Sequence, residues 1–183
     1  MRRSSRSFNV QSDRGYITAP APAYSSGWVR ESDGSAEQVT DDAIVAEALR
    51  IVSQRLIRGT ALLNPQTTRD YLKLRFDDLQ HEVFCCLYLD NRHRVIAVEE
   101  LFRGTIDGAN VHPREVVKRV LAHNASAVIF AHNHPSGVAE PSHADEQITR
   151  RLKEALSLIE VRVLDHLVVG GACVESFAER GLL

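Results

Sequence analysis

An uninterrupted apolar segment in the second half of the chain limits the folds that are open to it. The run ASAVIFAH, residues 125–132, places apolar residues at both even and odd positions. Successive side chains of a strand point to opposite faces, so a strand here would be apolar on both faces. Strands of this kind are typical of sheets that are covered on both faces. The run therefore predicts a central strand of an α/β domain.

Helix-like and strand-like segments alternate around this run. A helix is predicted over residues 64–80 because Asn64-Pro65 is a cap followed by a first-turn proline. Helices are also predicted from Pro113 onward and over 142–158, because apolar residues recur there at helical spacing. Strands are predicted over residues 83–90, 94–102, 125–132 and 161–171. The alternation predicts an α/β domain that covers residues 60–183.

The first third of the chain has a different character. Residues 1–38 are rich in Ser, Arg, Gly, Pro and Ala, and this composition predicts a disordered or loosely ordered tail. Residues 39–59 are predicted as an N-terminal helix, with Thr40 or Asp41 as its cap and Gly59 as its end.

Charge and composition exclude several classes of protein. The 183 residues include 22 basic and 24 acidic side chains, so a general nucleic-acid or membrane-surface binder is not favoured. No apolar run approaches the roughly 20 residues that span a bilayer, and the basic N-terminus lacks the apolar core of a secretory signal. Cys85 and Cys86 are adjacent in VFCCLYL, and no Cys-x-x-Cys pair exists. Buried, reduced thiols and a cytoplasmic location are therefore expected.

Polar residues crowd into AHNHPSGVAEPSHAD, residues 131–145, directly after the apolar run. His132 and His134 are two positions apart, so on an extended strand both imidazoles lie on one face. Gly137 permits a sharp bend, and Asp145 falls in the first turn of the predicted helix. Two histidines and one aspartate, with a fourth position for water, are the ligand set of an open zinc site. The pattern thus predicts a metal site at the end of the strand.

The same residues also admit an interpretation without a metal. Ser142 and Asp145 have the spacing of a helix capping box, and an aspartate in a first turn suits the helix macrodipole. A lone His-x-His pair is a weak pattern, since it also occurs at polar strand ends. The combination of strand, His-x-His-Pro, short loop and Ser-x-x-Asp favours the metal site and leaves the capping role open.

The same combination resembles a known family. His132-x-His134-Pro135, six further residues and Ser142-x-x-Asp145 match the JAMM signature of MPN-type metalloproteases. EELFRGT, VHPREVVKRVLAHNASAVIFAHNHPSG and LDHLVVGG, within residues 60–183, are similar to bacterial RadC-like proteins. The resemblance implies an MPN (JAMM)-type mixed β-sheet flanked by helices, with cytidine-deaminase-like layering. It is closest to a short form, because residues 1–60 show no helix-hairpin-helix module of the kind that longer RadC-like proteins carry.

The resemblance implies a role for each motif residue. His132, His134 and Asp145 would be the ligands of a Zn²⁺ ion. Ser142 would help to hold the oxyanion of the tetrahedral intermediate.

The family also uses a glutamate as general base, upstream of the motif and at the start of an early strand. Glu82, Glu99 and Glu100 are the candidates. Glu82 follows a predicted helix and immediately precedes a predicted strand, which is the family's order, so we choose Glu82.

Other polar residues receive structural or supporting roles. Asn133 is expected to point away from the imidazoles and to make hydrogen bonds rather than bind metal. Asp165 and His166 interrupt the apolar strand LDHLVV. Either one of them orients a ligand imidazole, or the two form a plain pair at the edge of a strand. Gly170 and Gly171 are expected to be turn glycines.

Two functions remain open from the sequence. The first is a zinc-dependent hydrolase that cleaves a peptide or isopeptide bond with activated water. The second is a non-catalytic binding module with a structural metal site in a DNA-associated assembly. Its partners would be DNA or DNA-associated proteins, and its link to DNA repair rests on the family's name.

Overall fold

The structure of the chain is a computed structural model. It describes residues 16–18, 28–32, 35–57, 65–77, 79–104 and 111–183. The chain divides into two compact units, residues 1–48 and 49–183. Within the described residues, none of the helices is long and apolar enough to cross a bilayer.

The first unit contains a small antiparallel sheet. Its strands are β1 (Tyr16–Thr18), β2 (Trp28–Ser32) and β3 (Ser35–Val39), in the order β1-β2-β3. Helix α1 (Asp41–Ile57) follows, and the N–H of Ala43 donates a 3.3 Å hydrogen bond to Oγ1 of Thr40. Thr40 is therefore the capping residue of the two candidates, and Gly59 lies outside the described residues.

The described parts of the predicted tail, residues 1–38, include β1, β2 and most of β3, and the disordered or loosely ordered tail stays a prediction. Asp33 and Gly34 separate β2 from β3 in the sequence, and Asp-Gly is a pair that favours two-residue hairpin connections. The remainder of the predicted tail lies outside the described residues.

The second unit is built on a five-stranded mixed sheet in the order β5-β4-β6-β7-β8. The strands are β4 (Val83–Leu89), β5 (Val95–Arg103), β6 (Ala127–Asn133), β7 (Arg162–Gly170) and β8 (Cys173–Ser176). β6 and β7 run parallel, and the other neighbouring pairs run antiparallel. The predicted mixed sheet is confirmed.

Helices cover both faces of this sheet. One apolar cluster joins α2 (Pro65–Phe76) to alternate residues of β4 that include Cys85. The other cluster joins α3 (Pro113–Ala122) and α4 (His143–Ser157) to the opposite set, which includes Cys86. Both thiols are buried and unpaired. The predicted α/β layering is confirmed, because the apolar run on each central strand has helices to meet on either side.

The end of α2 and the strand β8 are the clearest differences from the predicted elements. α2 ends at Phe76 instead of near residue 80, and the next two residues are aspartates, which are unfavourable at the negative end of a helix. β8 was not predicted, because its four residues, CVES, are too few to show an alternating pattern. The strand pairs with the end of β7 and closes that edge of the sheet.

Candidate metal centre

Three side chains converge at the end of β6. Nε2 of His132 lies 3.0 Å from Nε2 of His134 and 3.2 Å from Oδ1 of Asp145. Nε2 of His134 lies 3.4 Å from Oδ2 of Asp145. Within the described part of the chain, these three residues form the group of side chains that could hold a metal ion.

The fold brings these residues together through the connection from β6 to α4. On β6, Val128 and Phe130 belong to the apolar cluster on the α3 and α4 face, so His132 points to that face as well. Residues 134–142 lead from β6 into α4, and Asp145 is the third residue of that helix. The first turn of α4 therefore meets the polar end of the strand.

Asp145 both caps helix α4 and belongs to the cluster with His132 and His134. The carboxylate atom Oδ2 accepts hydrogen bonds from the backbone N–H of Ser142 at 2.7 Å and from its hydroxyl at 2.6 Å. The N–H of Asp145 donates to Oγ of Ser142 at 3.2 Å, which completes the capping box. Oδ1 is left facing His132. The two interpretations left open by the sequence are thus compatible, because the cap fixes one carboxylate oxygen and aims the other.

The electrostatics of the cluster keep this carboxylate ionised. Burial by itself would raise the pKa of Asp145, but hydrogen bonds with His132, His134 and Ser142 outweigh it and hold the pKa well below its usual range. The hydrogen bond with Asp145 is the largest of the effects that raise the pKa of His134. An ionised carboxylate beside two imidazoles is the form of this group that binds a cation.

The imidazoles of His132 and His134 each have a hydrogen-bonding partner at Nδ1, the nitrogen that does not face the cluster. Nδ1 of His134 lies 2.8 Å from the carbonyl oxygen of Val138. Nδ1 of His132 lies 2.9 Å from Nε2 of His166, and Nδ1 of His166 lies 2.6 Å from Oγ1 of Thr149. Of the polar pair in LDHLVV, His166 is therefore the residue that contacts a predicted ligand. Burial lowers the pKa of His166 well below its usual value.

The other member of that pair, Asp165, has a different role. Its carboxylate accepts hydrogen bonds from the hydroxyl of Ser176 at 2.7 Å and from the N–H of Ala178 at 3.0 Å. These contacts tie β7 to the last residue of β8 and to the segment that follows it.

Glu82 lies next to the cluster. In the antiparallel β4–β6 pair, Phe84 is opposite His132 at the end of the ladder, and Glu82 and His134 each lie two residues beyond that pair. The negative charge of Glu82 is close enough to contribute to the raised pKa of His134. The predicted general base thus stands at the edge of the group that could hold a metal.

Asn133 fixes the backbone on both sides of Glu82. Its side-chain oxygen accepts a 2.8 Å hydrogen bond from the N–H of Val83, and its amide nitrogen donates at 3.0 Å to the carbonyl of His81. Asn133 is buried and does not join the cluster. It has the structural role that the sequence predicted, and its contacts are the ones that position residues 81–83.

The two other candidate bases are engaged elsewhere. Glu99 forms a two-pronged ion pair with Arg119 and a 2.9 Å contact with His123. These contacts, the bond to Arg119 above all, lower the pKa of Glu99 to about 2. Glu100 pairs with Arg103 at 2.8 Å. On β5, both residues lie opposite Cys85 and Cys86 rather than opposite the histidines.

A glycine supports the loop that holds His134. A Cβ atom at Gly170 would lie 2.4 Å from the backbone nitrogen of Ala139 and 2.5 Å from the carbonyl carbon of Val138. The sequence predicted Gly170 as a turn residue, whereas it ends β7 and permits close packing of this loop. Gly171, with φ +53°, is the residue with turn-type backbone geometry. The sequence alone does not show a close approach to a loop about thirty positions away.

The donor set and its spacing fit a divalent cation. Tetrahedral zinc with bonds of about 2.0–2.1 Å places its ligand atoms about 3.3–3.4 Å apart. In the cluster the two Nε2 atoms are 3.0 Å apart, and the nearest oxygens of Asp145 lie 3.2 Å from His132 (Oδ1) and 3.4 Å from His134 (Oδ2). One ligand atom from each residue can be chosen so that all three lie within 4.8 Å of one another. Two imidazoles and a carboxylate are also typical ligands of catalytic zinc. The group can therefore hold a metal ion with small adjustments of its side chains.

The fold and this donor set define an α/β domain of the JAB (JAMM) type. The family model of the RadC-like JAB domain matches residues 62–182. The chain belongs to that family, and the resemblance seen in its motifs is confirmed.

Named relatives agree with this assignment. A UPF0758 protein of Thioalkalivibrio sulfidiphilus is 64% identical over 150 residues, which cover 82% of this chain and 67% of that protein. A UPF0758 protein of Nitrosococcus oceani is 63% identical over the same shares. One from Vibrio cholerae is 59% identical over 148 residues, which cover 81% of this chain and 66% of that protein.

Proposed function

We propose that the chain is a zinc-dependent hydrolase that cleaves a peptide or isopeptide bond with an activated water molecule. The observation that carries the proposal is the convergence of His132, His134 and Asp145, whose ligand atoms, one from each residue, lie within 4.8 Å of one another. The three residues leave a coordination position free for water, as in catalytic zinc sites. When bound, zinc would supply Lewis-acid chemistry, lowering the pKa of a water to about 7 and polarising the scissile carbonyl.

Glu82 is proposed as the general base. The effect of its charge on the pKa of His134 supports this role, as do the hydrogen bonds by which Asn133 holds the backbone on either side of it. Glu82 would take a proton from the attacking water and deliver it to the leaving amine, so that the amine departs neutral. The ion pairs of Glu99 and Glu100 leave neither of them facing the cluster.

Ser142 is proposed as the hydrogen-bond donor to the oxyanion. Its hydroxyl proton is directed to Oδ2 of Asp145 at 2.6 Å, and a hydroxyl has only one proton to donate. The backbone N–H of Ser142 also binds Oδ2, so Asp145 keeps one hydrogen bond when the hydroxyl rotates toward substrate. Ser142 would therefore serve Asp145 in the resting protein and the oxyanion during the reaction.

The substrate, partner and location are proposed at the level of chemical class. The substrate would be a peptide or a protein joined through an isopeptide bond, in the cytoplasm, where the buried free thiols of Cys85 and Cys86 stay reduced.

The test combines metal analysis with a hydrolysis assay. Protein purified without chelator should contain about one zinc per chain, because the three ligands make one site. Fluorogenic peptides with α-amide and lysine ε-amide linkages serve as probes. Glu82→Gln should lower kcat by about 10²–10⁴-fold while zinc content is kept, which is the range for loss of a general base. Glu100→Gln is the matched control and should keep its activity.

Three results would contradict the proposal. The first is protein without stoichiometric zinc. The second is a Glu82→Gln variant as active as the unsubstituted chain. The third is full cellular function of Glu82→Gln, which would favour a binding module with a structural metal.

A further inference from the structure

A buried chain of polar groups leads away from the back of His132. His132 and Thr149 are each 1% exposed, and His166 is fully buried. The chain runs from Nδ1 of His132 to Nε2 of His166 (2.9 Å), and from Nδ1 of His166 to Oγ1 of Thr149 (2.6 Å). Oγ1 of Thr149 in turn donates to the backbone carbonyl of Asp145 at 2.6 Å. Since water does not reach these groups, they must satisfy one another.

The carbonyl at the end of the chain sets the direction of its hydrogen bonds. A carbonyl oxygen only accepts, and the hydroxyl of Thr149 has a single proton. At 2.6 Å from that carbonyl, Oγ1 would repel it unless the proton lay between the two oxygens. Thr149 therefore donates to Asp145 and accepts from His166. It follows that His166 carries a proton on Nδ1.

The direction of donation in these hydrogen bonds also fixes the proton between His166 and His132. The ring of His166 is stacked on Phe177 with centroids 4.8 Å apart and meets Phe84 edge-on at 5.4 Å, so its surroundings favour the uncharged imidazole. A neutral His166 with its proton on Nδ1 has a bare Nε2, which can only accept. Nδ1 of His132 must then be the donor, which leaves Nε2, 3.2 Å from Oδ1 of Asp145, as the nitrogen that can give up its proton and bind a metal.

We propose that Thr149 and His166 are positioning residues that keep a proton on Nδ1 of His132, so that its Nε2 is the nitrogen that binds the metal, and that tie its ring to the backbone of Asp145. The inference rests on the proposed function, in which that Nε2 binds the metal. A histidine ligand binds through an unprotonated nitrogen, and the partner of its other nitrogen selects the tautomer. One network thus sets the tautomer of one ligand and links it to a second.

We call the chain of hydrogen bonds from His132 through His166 and Thr149 to the carbonyl of Asp145 the relay. The substitution that tests the relay is Thr149→Val, which keeps the shape of the side chain and removes its oxygen. Nδ1 of His166 would then face a methyl group and lose its acceptor. The arrangement of lower energy has the proton of His166 on its Nε2, which then donates to Nδ1 of His132. A neutral His132 must in that case carry its own proton on Nε2, the nitrogen that faces the metal. Zinc affinity should fall by about 10–100-fold, the range for loss of a group that orients a ligand.

Matched variants separate the relay from general effects on the core. Thr149→Ser restores the hydroxyl and should restore zinc affinity. Thr68→Val makes the same change at another threonine with 1% exposure, on α2, whose Oγ1 has no hydrogen-bond partner among the described residues. Zinc affinity should be unchanged in Thr68→Val. Equal zinc dissociation constants for Thr149→Val and Thr68→Val by calorimetry would overturn the relay.

A second measurement does not depend on the metal. Long-range ¹H–¹⁵N spectra of metal-free protein labelled in its imidazole rings report which nitrogen of His166 is protonated. Protonation on Nδ1 in the unsubstituted chain and on Nε2 in Thr149→Val is expected. Protonation on Nε2 in the unsubstituted chain would refute the relay even if zinc binds. Conversely, no zinc binding by the unsubstituted chain would contradict the proposed function, while the tautomer of His166 would still decide the relay.

His166→Phe covers the case in which Thr149→Val does not fold. Phenylalanine keeps the ring that packs against Phe177 and Phe84 and removes both nitrogens. Nδ1 of His132 then loses its partner, so zinc affinity should fall, and the thermal stability of the metal-free protein should also fall because a buried donor is left unsatisfied. Unchanged zinc affinity in this variant would also overturn the relay.

Discussion

Asn133→Ala offers a test of how the proposed base is held in place. The side chain of Asn133 is buried and bridges the carbonyl of His81 and the N–H of Val83. Alanine removes both hydrogen bonds and leaves the backbone on either side of Glu82 without its tie to β6. We therefore expect a loss of stability and a loss of activity, with little effect on the histidines.

The size of the stability change follows from the two contacts. Val83 is buried, so its N–H would be left unsatisfied, which costs about 1–3 kcal/mol. The second hydrogen bond, to His81, contributes about 0.5–1.5 kcal/mol. The sum predicts that the free energy of unfolding falls by about 1.5–4.5 kcal/mol.

Urea unfolding, zinc calorimetry and peptide hydrolysis together check this prediction. Because His132 and His134 keep their own contacts, the zinc dissociation constant of Asn133→Ala should stay close to that of the unsubstituted chain. Its kcat should fall, since Glu82 is no longer fixed. A variant of unchanged stability, or one that loses zinc but retains kcat when loaded, would refute this account of Asn133.

Three further substitutions probe other parts of the site and fold. Gly170→Ala should push the loop at Ala139 away from β7, lowering the unfolding free energy by about 1–3 kcal/mol and weakening zinc binding in calorimetry. Ser142→Ala should weaken zinc binding as well as kcat, because its hydroxyl binds Asp145; an effect on kcat alone would contradict this. Glu99→Gln should destabilise the fold by about 1 kcal/mol at neutral pH in urea unfolding. Because the pKa of Glu99 is about 2, against an ordinary 4.5, its stabilising effect is present above pH 4.5 and is lost as the pH falls toward 2; a difference that does not shrink over that range would contradict this.

Local patterns in the sequence were sufficient to predict the part of the site that lies on one continuous segment. The run before His132 has apolar residues at both even and odd positions, which predicts a central strand. The Ser142-x-x-Asp145 spacing predicts the start of the next helix. The structure places both as predicted and brings Asp145 to the imidazoles. Short-range signals work here because the cap and the strand are determined by neighbours in sequence.

The supporting contacts could not be predicted, because their partners are distant in sequence. Asn133 bonds to residues about fifty positions earlier, and a Cβ at Gly170 would meet backbone atoms about thirty positions earlier. Nothing local to either residue indicates those partners. The sequence left His166 as one of two alternatives for the same reason, since its contact with Thr149 depends on how α4 packs against β7.

The choice of base shows how motif order and structure complement each other. Glu82, Glu99 and Glu100 are indistinguishable by composition, and the order of helix, glutamate and strand favoured Glu82. The structure adds an electrostatic reason, because Arg119 pairs with Glu99 and Arg103 pairs with Glu100. The role of Glu82 as base remains a prediction until the kinetics of its variant are measured.

A crystal structure of zinc-loaded protein, with anomalous scattering recorded at the zinc edge, tests the central claim most directly. A single peak is predicted within about 2.0–2.2 Å of Nε2 of His132, Nε2 of His134 and Oδ1 of Asp145, with a water as the fourth ligand. A peak elsewhere, or imidazoles that turn away from Asp145 in the zinc-loaded crystal, would contradict the account.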